Sequence, residues 1–87
     1  MIRKDTVVKN RAGLHARPAA LIVQTAGQYE SNIFIEKDSE KINAKSIMGL
    51  LTMGAAFNTE LIISAEGPDE EAAVNSLVEL FESRFEE

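Results

Sequence analysis

The feature that most constrains this chain is a change of apolar period along its length. Val74, Leu77, Val78, Phe81 and Phe85 form one helical stripe near the C-terminus, and Ala19, Ile22, Val23 and Ala26 form another. Elsewhere the period is two. Ile33 and Ile35 alternate with Asn32, Phe34 and Glu36, and Leu61, Ile63 and Ala65 alternate across residues 60–66. Two amphipathic helices need an apolar surface to cover, and an antiparallel sheet with one apolar side supplies it. The pattern predicts an α+β fold with both helices on one face of such a sheet.

Turn and cap residues set the element order. Residues 2–8 read as a strand, with Ile2, Thr6 and Val8 at even positions, and Ala16 to Gln28 as a helix with Gly27 near its end. Residues 32–37 and 41–44 form a hairpin around the polar turn Lys37-Asp38-Ser39-Glu40. Ser46 precedes a short apolar helix, Ile47 to about Met53, which Gly54 closes. After the strand at 60–66, Gly67-Pro68-Asp69 turns into the last helix, which runs to about Ser83. Asp69 suits its N-cap, and Glu70 and Glu71 suit the positive end of its dipole. The predicted order is βαββαβα, in a single domain over residues 1–87.

Composition narrows the function. No segment approaches the ~20 apolar residues that span a bilayer, and Met1-Ile2-Arg3-Lys4-Asp5 lacks the apolar core of a signal peptide. There is no cysteine for a disulfide or a thiolate metal site. A cytoplasmic protein with no membrane insertion is expected. The net charge of -5 is unevenly spread. Arg3, Lys4, Lys9, Arg11 and Arg17 face one acid, Asp5, in residues 1–17, whereas residues 66–87 carry eight acids and only Arg84. An acidic chain with one basic end does not suit nucleic acid, and it does suit local contact with a phosphate or an acidic partner protein. One histidine and scattered carboxylates make no metal site, and no cofactor is expected.

That histidine is His15, in the run Asn10-Arg11-Ala12-Gly13-Leu14-His15-Ala16-Arg17-Pro18. Pro18 marks a first helical turn, which places His15 at or next to the N-cap, after a bend that Gly13 permits. A helix N-terminus offers unpaired N–H groups, here those of Ala16 and Arg17, and a positive dipole end that receives an anion. Arg17 adds a guanidinium fork matched to phosphate. These residues suit a phosphoryl carrier, with His15 as acceptor and Arg17 as clamp. Two other functions fit parts of the pattern. One is a small acyl- or phosphohydrolase, which would need a phosphate-cradling loop that the sequence lacks. The other is a regulatory binding module in which Ser46 matters and His15 is incidental.

The stretch Gly13-Leu14-His15-Ala16-Arg17-Pro18-Ala19-Ala20 closely resembles the active-site motif of the HPr family, the histidine-containing phosphocarriers of the bacterial phosphoenolpyruvate-dependent sugar phosphotransferase system. Lys45-Ser46-Ile47-Met48-Gly49 resembles the second signature of that family, and the likeness covers essentially the whole chain. The same motifs are compatible with a nitrogen-linked paralogous system. The resemblance implies an open-faced β-sandwich, a four-stranded antiparallel sheet with three helices. It implies a carrier rather than an enzyme, one that takes the phosphoryl group on His15 Nδ1 from phosphorylated Enzyme I and gives it to Enzyme IIA; a monomer is expected. A regulatory paralogue lacks the histidine, and His15 argues against it. The resemblance also implies regulatory phosphorylation at Ser46 by an HPr kinase/phosphorylase, with a catabolite-control repressor as reader.

The short helix has more apolar residues than one packed face uses. With Leu50 and Met53 inward, Ile47, Met48 and Leu51 are left partly exposed, and with Leu14 and Ala20 they are expected to form a partner-docking patch around Arg17. Phe57-Asn58 occupies a loop where relatives commonly have glycine; asparagine tolerates the left-handed backbone that such a turn needs.

Overall fold

A computed structural model describes residues 1–86. The elements are β1 (Ile2–Val7), α1 (Ala16–Ala26), β2 (Asn32–Lys37), β3 (Glu40–Asn43), α2 (Ile47–Met53), β4 (Glu60–Glu66) and α3 (Glu70–Glu82), with a final 3-10 turn at Arg84–Glu86. The order is the expected βαββαβα. All strand pairs are antiparallel, in the spatial order β1-β4-β2-β3.

Register puts the apolar alternation to use. Ile35 lies opposite Ile63 and Ile33 opposite Ala65, and all four are fully buried on the helix side of the sheet. Ala73, Val74, Leu77 and Phe81 carry the buried stripe of α3, which packs against β1, β4 and β2. Helix α1 buries Pro18, Ala19, Ile22 and Ala26 and lies against α3 and α2. Each large side chain here is expensive to truncate: Phe81→Ala would cost about 3–5 kcal/mol.

The outer face of the sheet is partly covered. Arg3 of β1 reaches over β4 to Glu36 of β2 at 3.4 Å, and the Lys41 ammonium lies 4.5 Å from the centre of the Phe34 ring.

Three local expectations change. Helix α1 ends at Ala26, two residues before Gln28, where the four-residue bonds give way to tighter three-residue ones: the Gln28 N–H donates to the Thr25 carbonyl and the Tyr29 N–H to the Ala26 carbonyl, each at 3.1 Å. Phe85 continues the apolar stripe from outside α3. The chain turns to a positive φ of 55° there and sets its ring edge-on to Phe81, with centroids 4.9 Å apart. Asp69 sits at the N-cap of α3, but its side chain does not cap. Its carboxylate instead accepts the Ser31 hydroxyl and the backbone N–H groups of Glu30 and Ser31, at 2.9 and 3.0 Å for the latter two. Those bonds, the Ser31 hydroxyl first, hold the Asp69 carboxyl below the usual carboxylate value of 3.8. The residue fastens the α1–β2 connection to α3. Asn58 adopts the expected left-handed backbone, with φ 74°.

Candidate functional site

His15 is the N-cap of α1. Its backbone is extended (φ -91°, ψ -168°), its carbonyl accepts the Ala19 N–H at 3.0 Å, and its side chain makes no capping bond. The ring is exposed and makes no hydrogen bond among the described residues. The N–H groups of Ala16 and Arg17 have no acceptor among the described residues, and Pro18 has no N–H to offer. Two directed donors therefore remain free at the helix end that His15 caps, where the dipole is positive.

A tight turn delivers His15 to that position. The Gly13 N–H donates to the Asn10 carbonyl at 3.1 Å, and the His15 N–H donates back to the Gly13 carbonyl at 3.0 Å. Gly13 has φ +74°, and a Cβ on it would lie 2.6 Å from the Ala55 carbonyl oxygen. Only glycine meets both demands. The turn is pinned to the loop between α2 and β4. Leu14 N–H donates to Ala55 at 2.8 Å, Val8 N–H to Thr59 at 2.9 Å, and Asn58 N–H to Val8 at 2.7 Å.

The five N-terminal cations divide in a way that matters for an anion. Arg3 pairs with Glu36, Lys9 reaches Glu82 at 2.6 Å, and Lys4 donates to Asn75 at 2.6 Å. Arg11 lies over the Phe57 ring at 5.9 Å, and Arg17 is exposed. Neither has a carboxylate partner among the described residues. Arg11 and Arg17, the two that flank His15 in sequence, thus keep their charge unneutralised, as does Lys4 farther off, whose partner Asn75 is a neutral amide. Two open clefts, of about 590 and 390 Å³, lie elsewhere, with no lining residue from 13–18. His15 stands on open surface.

The second motif has physical reasons too. Ser46 accepts the Gly49 N–H at 3.1 Å and caps α2, and Lys45 donates to the Tyr29 carbonyl at 2.8 Å. A Cβ on Gly49 would lie 2.7 Å from the Ile42 side chain, so α2 approaches β3 closely because that residue is glycine. Helix α2 turns Leu50 and Met53 inward and leaves Ile47, Met48 and Leu51 at 39%, 69% and 39% exposure.

The expected patch needs one correction. Leu14 is only 4% exposed. Its backbone bond to Ala55 turns its side chain into the core, so Leu14 anchors the turn and offers almost no surface for docking. Ala20 is half-buried. Two features were missed from the sequence. Asn10 is buried and its side-chain amide donates to the Gly13 carbonyl at 2.7 Å. Its signal was an asparagine three residues before a glycine, the composition of a side-chain-stabilised turn. Phe57, 46% exposed, carries the Arg11 contact; nothing in its local pattern pointed to that.

Residues 2–83 match the family model described as the phosphotransferase-system HPr component phosphorylation site. The chain belongs to the HPr family. It is 51% identical to the phosphocarrier protein HPr of Treponema pallidum (strain Nichols) over 87 residues, covering 100% of this chain and 99% of that one. The HPr crystal structure from Thermoanaerobacter tengcongensis superposes with a TM-score of 0.96 at 52% identity, covering 100% of this chain and 98% of that one. The HPr-like protein Crh of Bacillus subtilis is 46% identical over 77 residues, 88% of this chain and 91% of Crh. The family is that of the phosphotransferase-system phosphocarrier, and the open-faced sheet with three helices is its fold. No helix of the described residues is long and apolar enough to cross a membrane.

Proposed function

We propose that this protein is a cytoplasmic, monomeric carrier that accepts a phosphoryl group on His15 from phosphorylated Enzyme I and passes it to the Enzyme IIA domain of a sugar permease. The observation that carries this is the uncommitted His15 ring at a helix end with two free N–H groups and an unneutralised Arg17. In the transfer, the Nδ1 lone pair of His15 forms a bond to phosphorus. The bond from phosphorus to the donor breaks and leaves its electron pair there. The proton on Nε2 goes to solvent as the donor takes one up. The Ala16 and Arg17 N–H groups and the Arg17 guanidinium receive the phosphoryl oxygens. No cofactor or metal takes part.

The exposed position of His15 favours a relay over a hydrolase, because a protein partner can close over it and exclude water. Ile47, Met48 and Leu51, with Ala20, are the docking patch for those partners. Retention of His15 argues against a purely regulatory paralogue. Ser46 is the regulatory site, modified by an HPr kinase/phosphorylase and read by a catabolite-control repressor; incubation with ATP and that kinase tests this, and an unmodified Ser46 overturns it. Phosphoenolpyruvate, Enzyme I and an Enzyme IIA domain test the carrier role. The native protein relays phosphate between the two, and His15→Ala relays none. A relay that persists in His15→Ala would contradict the proposal.

A further inference from the structure

Asn10 is 1% exposed and lies five residues before His15. Its side-chain Nδ2 donates to the Gly13 carbonyl at 2.7 Å, and its backbone carbonyl accepts the Gly13 N–H at 3.1 Å. The Gly13 carbonyl that it holds is the one that accepts the His15 N–H, at 3.0 Å. The peptide between Gly13 and Leu14 is therefore gripped from both sides, by Asn10 and His15 on its oxygen and by Ala55 on its N–H at 2.8 Å. That peptide fixes how the chain enters the N-cap, and so where the His15 ring projects. The other half of the Asn10 amide, Oδ1, is buried without a hydrogen-bond partner among the described residues. Keeping an amide in a place that leaves its oxygen unsatisfied is unfavourable. A small apolar residue would avoid that cost, and it would lose the grip on Gly13.

We infer that Asn10 is a positioning residue for phosphoryl transfer, acting through the Gly13 carbonyl to aim the His15 ring. It touches neither phosphate nor partner. The inference rests on His15 being the acceptor. Displacing a reacting atom by even 1 Å can slow transfer by about a hundredfold, and loosening one of several restraints should cost less, about tenfold.

Steady-state transfer from Enzyme I, with this protein as the varied substrate, tests it. The measurement is made on the native protein, Asn10→Ala and Asn10→Ser at a temperature where thermal unfolding shows each to be folded. Asn10→Ala should lower kcat by about tenfold with KM unchanged within twofold, because the exposed face of α2 is untouched. Asn10→Ser keeps a hydroxyl donor and should fall between the two. Should Asn10→Ala not fold, a lowered kcat at unchanged KM in Asn10→Ser supports the assignment, and native kcat in it overturns the assignment. Native kcat in both variants, or a raised KM with native kcat, also overturns it. A native protein that takes no phosphate from Enzyme I defeats the carrier function itself, which separates the two failures.

Discussion

The backbone N–H of Leu14 donates to the carbonyl of Ala55 at 2.8 Å, tying the residue before His15 to the loop that leaves α2. The bond joins the two halves of the site. The N-terminal end of α1 and the exposed face of α2 come from segments about thirty residues apart, yet this contact and the buried Leu14 side chain hold them in one frame. A partner docked on Met48 is thereby held in fixed relation to His15.

Gly13 is where that frame is most sensitive. Gly13→Ala places a Cβ 2.6 Å from the Ala55 oxygen on a backbone with φ +74°. The left-handed penalty and the forced retreat of the loop together should destabilise the protein by about 2–3 kcal/mol. Urea unfolding measures this, with the change expected in the midpoint rather than the slope.

Arg17 should contribute through charge-assisted hydrogen bonds to the phosphoryl group. At about 2 kcal/mol for such bonds, Arg17→Ala slows transfer from Enzyme I roughly thirtyfold. Arg17→Lys should recover only part of this, because a single ammonium cannot reproduce the fork. Stopped-flow transfer with phosphorylated Enzyme I distinguishes the three proteins.

Met48 is 69% exposed and supports nothing in the core. Met48→Glu should raise the KM of Enzyme I for this protein by about tenfold, equivalent to about 1.4 kcal/mol of docking energy. Its circular dichroism and unfolding midpoint should match the native protein.

Asp69 gives a pH dependence with a definite sign. Its carboxyl is held below the ordinary 3.8 by the Ser31 hydroxyl and neighbouring N–H groups, so the folded state binds its proton more weakly than the unfolded state does. The stabilisation is present above pH 3.8 and lost as pH falls through the folded-state value. Ser31→Ala should therefore be less stable than the native protein at pH 6, with the gap narrowing below pH 4. Denaturant titrations at both pH values check this.

Much of the fold was legible because burial enforces period. Ile33, Ile35, Leu61 and Ile63 alternate since only one face of the sheet is covered, and Val74, Leu77 and Phe81 recur because α3 covers it. The placement of His15 and Arg17 at a helix start was legible because Pro18 marks the first turn. Tertiary contacts were not legible. Asp69 fits the pattern of an N-cap, and only the packing of the α1–β2 connection on α3 gives its carboxylate to Ser31. Leu14 looks like a surface neighbour of His15, yet the bond to Ala55 commits it to the core. The grip of Asn10 on Gly13 depends on a turn conformation that spacing alone does not specify.

The most direct test of the central claim is phosphorus NMR of the protein after incubation with phosphoenolpyruvate and a catalytic amount of Enzyme I. The expected result is a single nitrogen-linked phosphoryl group per chain, on His15 Nδ1, lost in acid and retained in alkali. An acid-stable adduct, or no adduct in the presence of active Enzyme I, would contradict it.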